Sequence, residues 1–250
     1  MNASLATMES PELGVISDHS PSQAAACRCL PGLGLSGGLL AAGIVCLVFV
    51  DVPVGHYFVA HPLHGDLADA VDAAEHFGTP FGQLLILGTI LTIYRGRISW
   101  TGRVFSGTCA AGLAADLAKL LIARTRPRAF GFAELPIMDS FTRLFPLGDG
   151  GALAQSFPSA HTASAFGFAA LMSWACPSGR PAFLLLAALC GLHRICTQAH
   201  FPSDVCFGAA LGWFVGCLFV SWSPISRPFD RMEAWWRGRF PPRQTRTARA

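Results

Sequence analysis

Residues 157–176 have the sequence FPSAHTASAFGFAALMSWAC and contain no Asp, Glu, Lys or Arg. About 20 predominantly apolar residues are the length that an α-helix needs to cross the hydrocarbon core of a bilayer. Ser159 is a favourable N-cap for a helix that starts at the next residue, and the exposed N–H groups of a helix start favour an anion. The stretch therefore predicts a membrane helix that begins beside His161, at a place suited to a phosphate.

The composition of the whole chain agrees with a membrane protein. Of its 250 residues, 52% are hydrophobic and 13% are charged, whereas soluble proteins average about 25% charged residues. A soluble helical protein with unusually apolar helices is the alternative. We predict an all-α fold, an integral membrane bundle of six transmembrane helices. The six apolar segments cover approximately residues 30–50, 77–94, 104–122, 157–176, 181–195 and 203–222.

The charge distribution predicts the domain organisation and the orientation in the membrane. Residues 1–29 are polar and predict a flexible N-terminal tail, residues 30–223 form the six-helix domain, and residues 224–250 form a basic cytoplasmic tail. The loop after the second segment contains Arg95, Arg97 and Arg103, whereas the stretch from Asp51 to Glu75 is acidic. Because cytoplasmic loops carry the excess of Lys and Arg, both termini are expected in the cytoplasm and the acidic stretch outside.

Basic residues also occur on the predicted outer side, where they need another explanation. Lys119, the only lysine of the chain, lies in an apolar run and is followed by Arg124, Arg126 and Pro127. Lys119 and Arg126 are seven residues apart, so they would share one face of a helix that Pro127 ends. Asp116 precedes Lys119 by three residues and is a possible ion-pair partner. Anchoring of a helix end by snorkelling is the structural alternative, but anion binding explains a lysine inside an apolar run better.

A second basic and polar cluster precedes the sixth segment. It contains His193-Arg194, then His200, then Asp204 in the first turn of the next predicted helix. The spacing allows the Asp204 carboxylate to orient one imidazole nitrogen of His200, which leaves the other nitrogen free to attack a substrate. In the alternative interpretation, Asp204 caps the helix and His200 is an interfacial residue.

Together, these residues resemble the three-part signature of the type 2 phosphatidic acid phosphatase family, which shares its site with vanadium haloperoxidases. The resemblance covers about residues 75 to 222. The matching positions are Lys119 with Arg126-Pro127, then Pro158-Ser159-Ala160-His161, then His193-Arg194 with His200 and Asp204. Ala160 replaces the glycine of the family's pattern and His193 replaces its serine. An alanine at that position matters if the backbone needs a positive φ.

The resemblance implies a role for each matching residue. His200 is the expected nucleophile and forms a phosphohistidine, Asp204 stabilises its imidazole, and His161 transfers protons to the leaving group and from water. Phosphate binding is assigned to a set of cations and a helix start, namely Lys119, Arg126, Arg194, Ser159 and the backbone of Ala160. No metal and no other cofactor is expected.

The same resemblance implies a lipid phosphate as the substrate and the bilayer as a partner. The expected location is a bacterial inner membrane, with the active site on the periplasmic face and no nucleic-acid partner. The sequence does not choose between phosphatidate, phosphatidylglycerophosphate, a polyprenyl diphosphate and lipid A, and it leaves the oligomeric state open. Three alternatives remain: a haloperoxidase, whose relatives are soluble; a transporter that uses Lys119 and Asp116; and a family member weakened by Ala160 and His193.

Overall fold

A computed structural model describes residues 30–94, 99–147 and 150–239 of the chain. The predicted N-terminal tail, the arginines at positions 95 and 97 of the second loop, and the end of the predicted basic tail lie outside these residues. Nine α-helices and one two-stranded antiparallel sheet are present in the described ranges. They follow in the order α1 (Leu30–Val45), α2 (Asp51–Ala60), α3 (Asp66–Glu75), α4 (Pro80–Ile93), α5 (Thr101–Lys119), β1 (Ile122–Arg124), β2 (Phe141–Leu144), α6 (Ala160–Ala175), α7 (Arg180–Cys196), α8 (Pro202–Ser221) and α9 (Ser223–Arg239).

Three of the described helices are long and apolar enough to cross a membrane. They span Leu33–Ala60, Pro177–Cys196 and Pro202–Ser221, and a fourth crossing is possible if Asp66–Gly78 and Pro80–Ile93, bent by 76°, form one span. The predicted helical membrane fold agrees with these helices in its broad outline. The count of six crossings stays a prediction.

The first helix is longer than predicted. A π-helical turn (Cys46–Val50) joins α1 to α2, so the helix continues past Val50, the predicted end. Asp51, which was expected in an outer loop, is therefore part of the helix and is completely buried. A carboxylate is tolerated at such a position when a cation compensates its charge, and Arg124 supplies that cation.

Helix α6 forms the centre of the bundle. All of its residues from Thr162 to Met172 are buried, and α5, α7 and α8 pack around it. A Cβ atom added at Gly212 of α8 would lie 2.0 Å from the carbonyl oxygen of Ala163. Glycine at this position therefore permits the close approach of α6 and α8, as small residues do between membrane helices. This packing holds the first part of α6 closely against α8.

The third segment ends earlier than predicted. Helix α5 stops at Lys119, so Pro127 does not end it and Arg126 does not share a helix face with Lys119. Lys119 lies at the end of the helix rather than two turns inside an apolar run. The residues that follow form β1, which pairs with β2, and Arg124 reaches acidic partners in the interior. These long-range contacts outweigh the helical preference of the run Leu120–Ala123.

The start of α5 is tied to the C-terminal helix. Arg103 was expected in a basic loop, but it lies in α5 with its side chain 2% exposed. Its guanidinium donates to Glu233 Oε1 at 2.7 Å and to Asp230 Oδ1 at 2.5 Å, both on α9. Arg103 and Lys119 are 16 residues apart on one helix, which corresponds to roughly 24 Å at about 1.5 Å per residue. The ion pairs of Arg103 are therefore at the opposite end of the bundle from Lys119.

Candidate active site

The start of α6 has the predicted capping geometry. Ser159 is the N-cap, and its Oγ accepts a hydrogen bond from the N–H of Thr162 at 3.4 Å. Ala160 is the first residue of the helix and is not one of the described non-glycine residues with positive φ. The alanine that replaces the expected glycine therefore causes no backbone strain. His161 follows in the first turn, with 37% of its side chain exposed.

His200 lies just before α8 and is buried. Its Nδ1 is 2.5 Å from the backbone carbonyl oxygen of Ser156. A carbonyl oxygen can only accept a hydrogen bond, so we infer that Nδ1 carries the proton and that Nε2 is the unprotonated nitrogen. Burial lowers the pKa of His200 below its ordinary value, and the positive charges of Arg194 and Arg126 lower it further. The imidazole is thus held neutral, the form that acts as a nucleophile.

Asp204 orients His200 less directly than the sequence suggested. Its Oδ2 is 3.8 Å from His200 Nδ1, which is an ion-pair distance and is too long for a hydrogen bond. The same oxygen accepts hydrogen bonds from Ser156 Oγ at 2.6 Å and from the Phe201 N–H at 2.9 Å. The Ser156 carbonyl is therefore the hydrogen-bond partner that fixes the His200 tautomer. Asp204 contributes its negative charge nearby and organises the surrounding loop.

Arg124 forms the centre of a buried network that sequence reasoning missed. Its side chain is 0% exposed and forms ion pairs with Asp51 at 2.7 Å and with Asp204. Its Nη1 also donates to Ser203 Oγ at 2.7 Å. The guanidinium carbon lies 4.5 Å and 4.1 Å from the ring centroids of two aromatic side chains, Phe141 and Phe201. An acidic residue at the end of the first apolar segment was the one available signal, because such a group needs a partner.

The charges of the predicted phosphate-binding cations act on the two histidines, His161 and His200. The charges of Arg194, Lys119 and His200 all act on the His161 imidazole, and the charge of Arg194 acts on Arg126. Lys119 Nζ contacts Asp116 Oδ1 at 2.9 Å, as the spacing indicated. Arg126 is held by a hydrogen bond from its Nε to a backbone carbonyl of the loop after β2. The structure thus brings the three sequence motifs together at one end of the bundle.

An acidic residue from α3 also enters this group. Glu75 Oε1 lies 2.6 Å from Arg194 Nη1 and 3.4 Å from His161 Nε2. Its other oxygen is 3.8 Å from His193 Nε2, which also contacts Asp72 at 3.1 Å. His193, the second departure from the family's pattern, therefore ties α7 to α3. The sequence placed Glu75 in an acidic outer stretch, and no spacing rule connected it to the basic motifs.

The model of the PAP2 superfamily matches residues 100–228, which include all three motifs. A lipid A 1-phosphatase of Rhizobium johnstonii is 30% identical, over 70% of this chain and 74% of that protein. A decaprenylphosphoryl-5-phosphoribose phosphatase of Mycobacterium tuberculosis is 34% identical, over 70% of this chain and 89% of that protein. No solved structure gives a significant match. The family match confirms the resemblance predicted from the motifs: the chain belongs to the PAP2 superfamily.

Proposed function

We propose that this protein is a membrane lipid phosphatase that hydrolyses a phosphomonoester or diphosphate on a lipid head group through a phosphohistidine at His200. The observation that carries the proposal is the hydrogen bond from His200 Nδ1 to the Ser156 carbonyl. It leaves Nε2 with its lone pair, in a site where the charges of Arg126 and Arg194 act on the same imidazole. A neutral nucleophile beside fixed cations suits attack on an anionic phosphorus centre.

The reaction proceeds in two displacements at phosphorus. In the first, His200 Nε2 forms a bond to phosphorus while the bond to the lipid oxygen breaks, and protonated His161 gives its proton to that oxygen. In the second, neutral His161 takes a proton from water as the water oxygen attacks phosphorus, and the bond to His200 breaks. Lys119, Arg126 and Arg194 neutralise the phosphate oxygens throughout, together with Ser159 and the first amides of α6 at Ala160. Asp204 stabilises the positive charge that develops on His200.

An apolar groove beside the site supports a lipid substrate. The groove has a volume of about 380 Å³. Its lining includes Ala118, next to Lys119, and Phe157-Pro158, next to Ser159, together with Leu40 and Phe214. An acyl or prenyl chain in this groove would have its phosphate at the cations. The names of the two relatives specify phosphorylated lipids, so lipid A 1-phosphate and polyprenyl-linked phosphates come first in a substrate panel, followed by phosphatidate and phosphatidylglycerophosphate.

The topology belongs to the same proposal. We place residues 30–223 as a six-crossing domain in a bacterial inner membrane, with the site on the periplasmic face and the basic segment from residue 224 in the cytoplasm. Lys119, in the site, and Arg103, which pairs with the C-terminal helix, are at the two ends of α5. This separation agrees with a site and a basic segment on opposite sides of the membrane. Accessibility of single cysteines introduced at Asp116 and at Gly238 to a membrane-impermeant thiol reagent, in a background without the native cysteines, tests this orientation. Labelling of both from the same side would contradict it.

The direct test is phosphate release by the detergent-purified protein from the lipid panel, with and without EDTA. We expect EDTA-resistant, vanadate-sensitive hydrolysis that His200→Ala reduces to background. His64→Ala, which changes an exposed histidine, is the matched control and should keep wild-type activity. Hydrolysis that survives His200→Ala would contradict the phosphohistidine, and a metal requirement would contradict the metal-free mechanism. Transport of the intact lipid without phosphate release would favour the transporter alternative.

A further inference from the structure

The carboxylate of Glu75 lies between two residues with different roles in the proposed reaction. Its Oε1 is 2.6 Å from Nη1 of Arg194, which is assigned to phosphate binding, and 3.4 Å from Nε2 of His161, which is assigned to proton transfer. Glu75 is the last residue of α3 and belongs to none of the three motifs. A carboxylate within a phosphate site needs an explanation, because it repels the substrate's charge.

We propose that Glu75 is a positioning residue of the active site, which orients Arg194 for phosphate and supports the proton on His161 at the cost of weaker phosphate binding. This inference rests on the proposed phosphatase function. It assigns Glu75 no contact with the reacting atoms. The carboxylate acts through the two side chains that it touches.

Glu75 fixes the orientation of Arg194. The Arg194 side chain is 12% exposed, and its Nη1 donates a hydrogen bond to Glu75 Oε1. The Nε of Arg194 is buried and has no hydrogen-bond partner within the described residues. A guanidinium presents its donors in a rigid planar fork that binds an oxyanion with two parallel hydrogen bonds. By holding Nη1, Glu75 fixes the plane of the fork and leaves the Nε edge for phosphate.

His161 must be protonated to donate a proton to the leaving oxygen in the proposed reaction. The charged and titratable groups that act on its imidazole come from four places: Glu75 on α3, Lys119 on α5, Arg194 on α7, and His200 before α8. Of the charged groups in this set, Glu75 is the negative one. Burial, Arg194 and Lys119 all disfavour an imidazolium at this position, and the Glu75 carboxylate opposes them.

Glu75→Gln separates these effects, since it keeps the shape of the side chain and removes the charge. Without the carboxylate, Arg194 is no longer neutralised, so inorganic phosphate should bind more tightly, on the order of tenfold. Protonation of His161 is also less favoured, so kcat should fall at neutral pH. The alkaline limb of the kcat–pH profile should shift to lower pH by about one unit. Tighter phosphate binding together with a lower kcat is a combination that simple damage to the fold does not produce.

Two further variants complete the experiment. Asp72→Asn removes a charge one turn earlier on α3, at a residue that contacts His193, and should leave phosphate affinity and the pH profile unchanged. Glu75→Asp keeps the charge and should retain most of the wild-type alkaline limb. Phosphate affinity is measured by titration calorimetry and kcat by phosphate release from the preferred lipid.

Weaker phosphate binding by Glu75→Gln, or a kcat lowered equally at all pH values, would overturn the inference. If the wild-type protein hydrolyses lipid phosphates and Glu75→Gln behaves identically, only the role of Glu75 is wrong. If the wild-type protein hydrolyses none of them, the proposed function fails. The calorimetric comparison then still tests Glu75 by itself, because binding of inorganic phosphate requires no turnover.

Discussion

Arg124→Met is expected to destabilise the protein strongly, because the Arg124 side chain is completely buried and pairs with two carboxylates. The substitution leaves the carboxylates of Asp51 and Asp204, both 0% exposed, without their shared cation. Removing one partner of a buried ion pair costs roughly 3–5 kcal/mol. For chains of 150–250 residues, this corresponds to a fall in Tm of roughly 6–20 °C. Thermal unfolding of the detergent-purified protein, followed by circular dichroism, measures the change.

Two companion variants show whether the cost comes from the uncompensated charges. Arg128→Met changes an exposed arginine four residues after Arg124 and should alter stability by no more than about 0.5 kcal/mol. Asp51→Asn, added to Arg124→Met, removes one of the two uncompensated carboxylate charges. The double variant should therefore recover part of the decrease in Tm. Wild-type Tm in Arg124→Met, or simple additivity of the two substitutions, would refute the view that these residues form one coupled network.

Two other predictions concern pH and the opposite end of the bundle. Burial lowers the pKa of His200 below its ordinary value of 6.5, so the proposed nucleophile stays neutral as the solution becomes acidic. The acid limb of the kcat/KM profile that is due to this group should therefore lie below pH 6.5. An acid limb above that value would contradict the assignment. Arg103→Met breaks the ion pairs with α9 roughly 24 Å from Lys119, so Tm should fall while KM for the lipid stays at the wild-type value. A changed KM would show that the two ends of α5 are coupled.

The last three apolar segments were predictable because each has clear local boundaries. The predictions 157–176, 181–195 and 203–222 differ by at most three residues per end from helices Ala160–Ala175, Arg180–Cys196 and Pro202–Ser221. Proline and serine stand at the beginnings of these helices, and the apolar runs stop near their ends. The third segment lacked such an end, since the apolar run continues past Lys119. Its true end depends on the pairing of β1 with β2, which no local pattern predicts.

The residues of the site also divide into those that a local sequence pattern predicts and those that depend on long-range contacts. Residues that the motifs identify by spacing, such as His161 and His200, were found from the sequence. Asp51 and Glu75 act through partners that are 73 and 119 residues away, so spacing gave no indication of their roles. The group that fixes the His200 tautomer is the backbone carbonyl of Ser156, and a carbonyl is present at every residue. Its role depends on the position of the loop, which only the folded chain defines.

The network around Arg124 has a consequence for how the protein is made. Its members are synthesised at three different times: Asp51 with the first helix, Arg124 73 residues later, and Asp204 another 80 residues after that. A nascent chain that has inserted its first helix therefore holds a carboxylate whose partners do not yet exist. Until Arg124 has been synthesised, the charge of Asp51 has no counterion, and uncompensated charge at membrane depth is costly. Asp204 joins last and is the second carboxylate on Arg124, so a chain that ends before α8 lacks both the proposed catalytic aspartate and one acidic partner of this arginine.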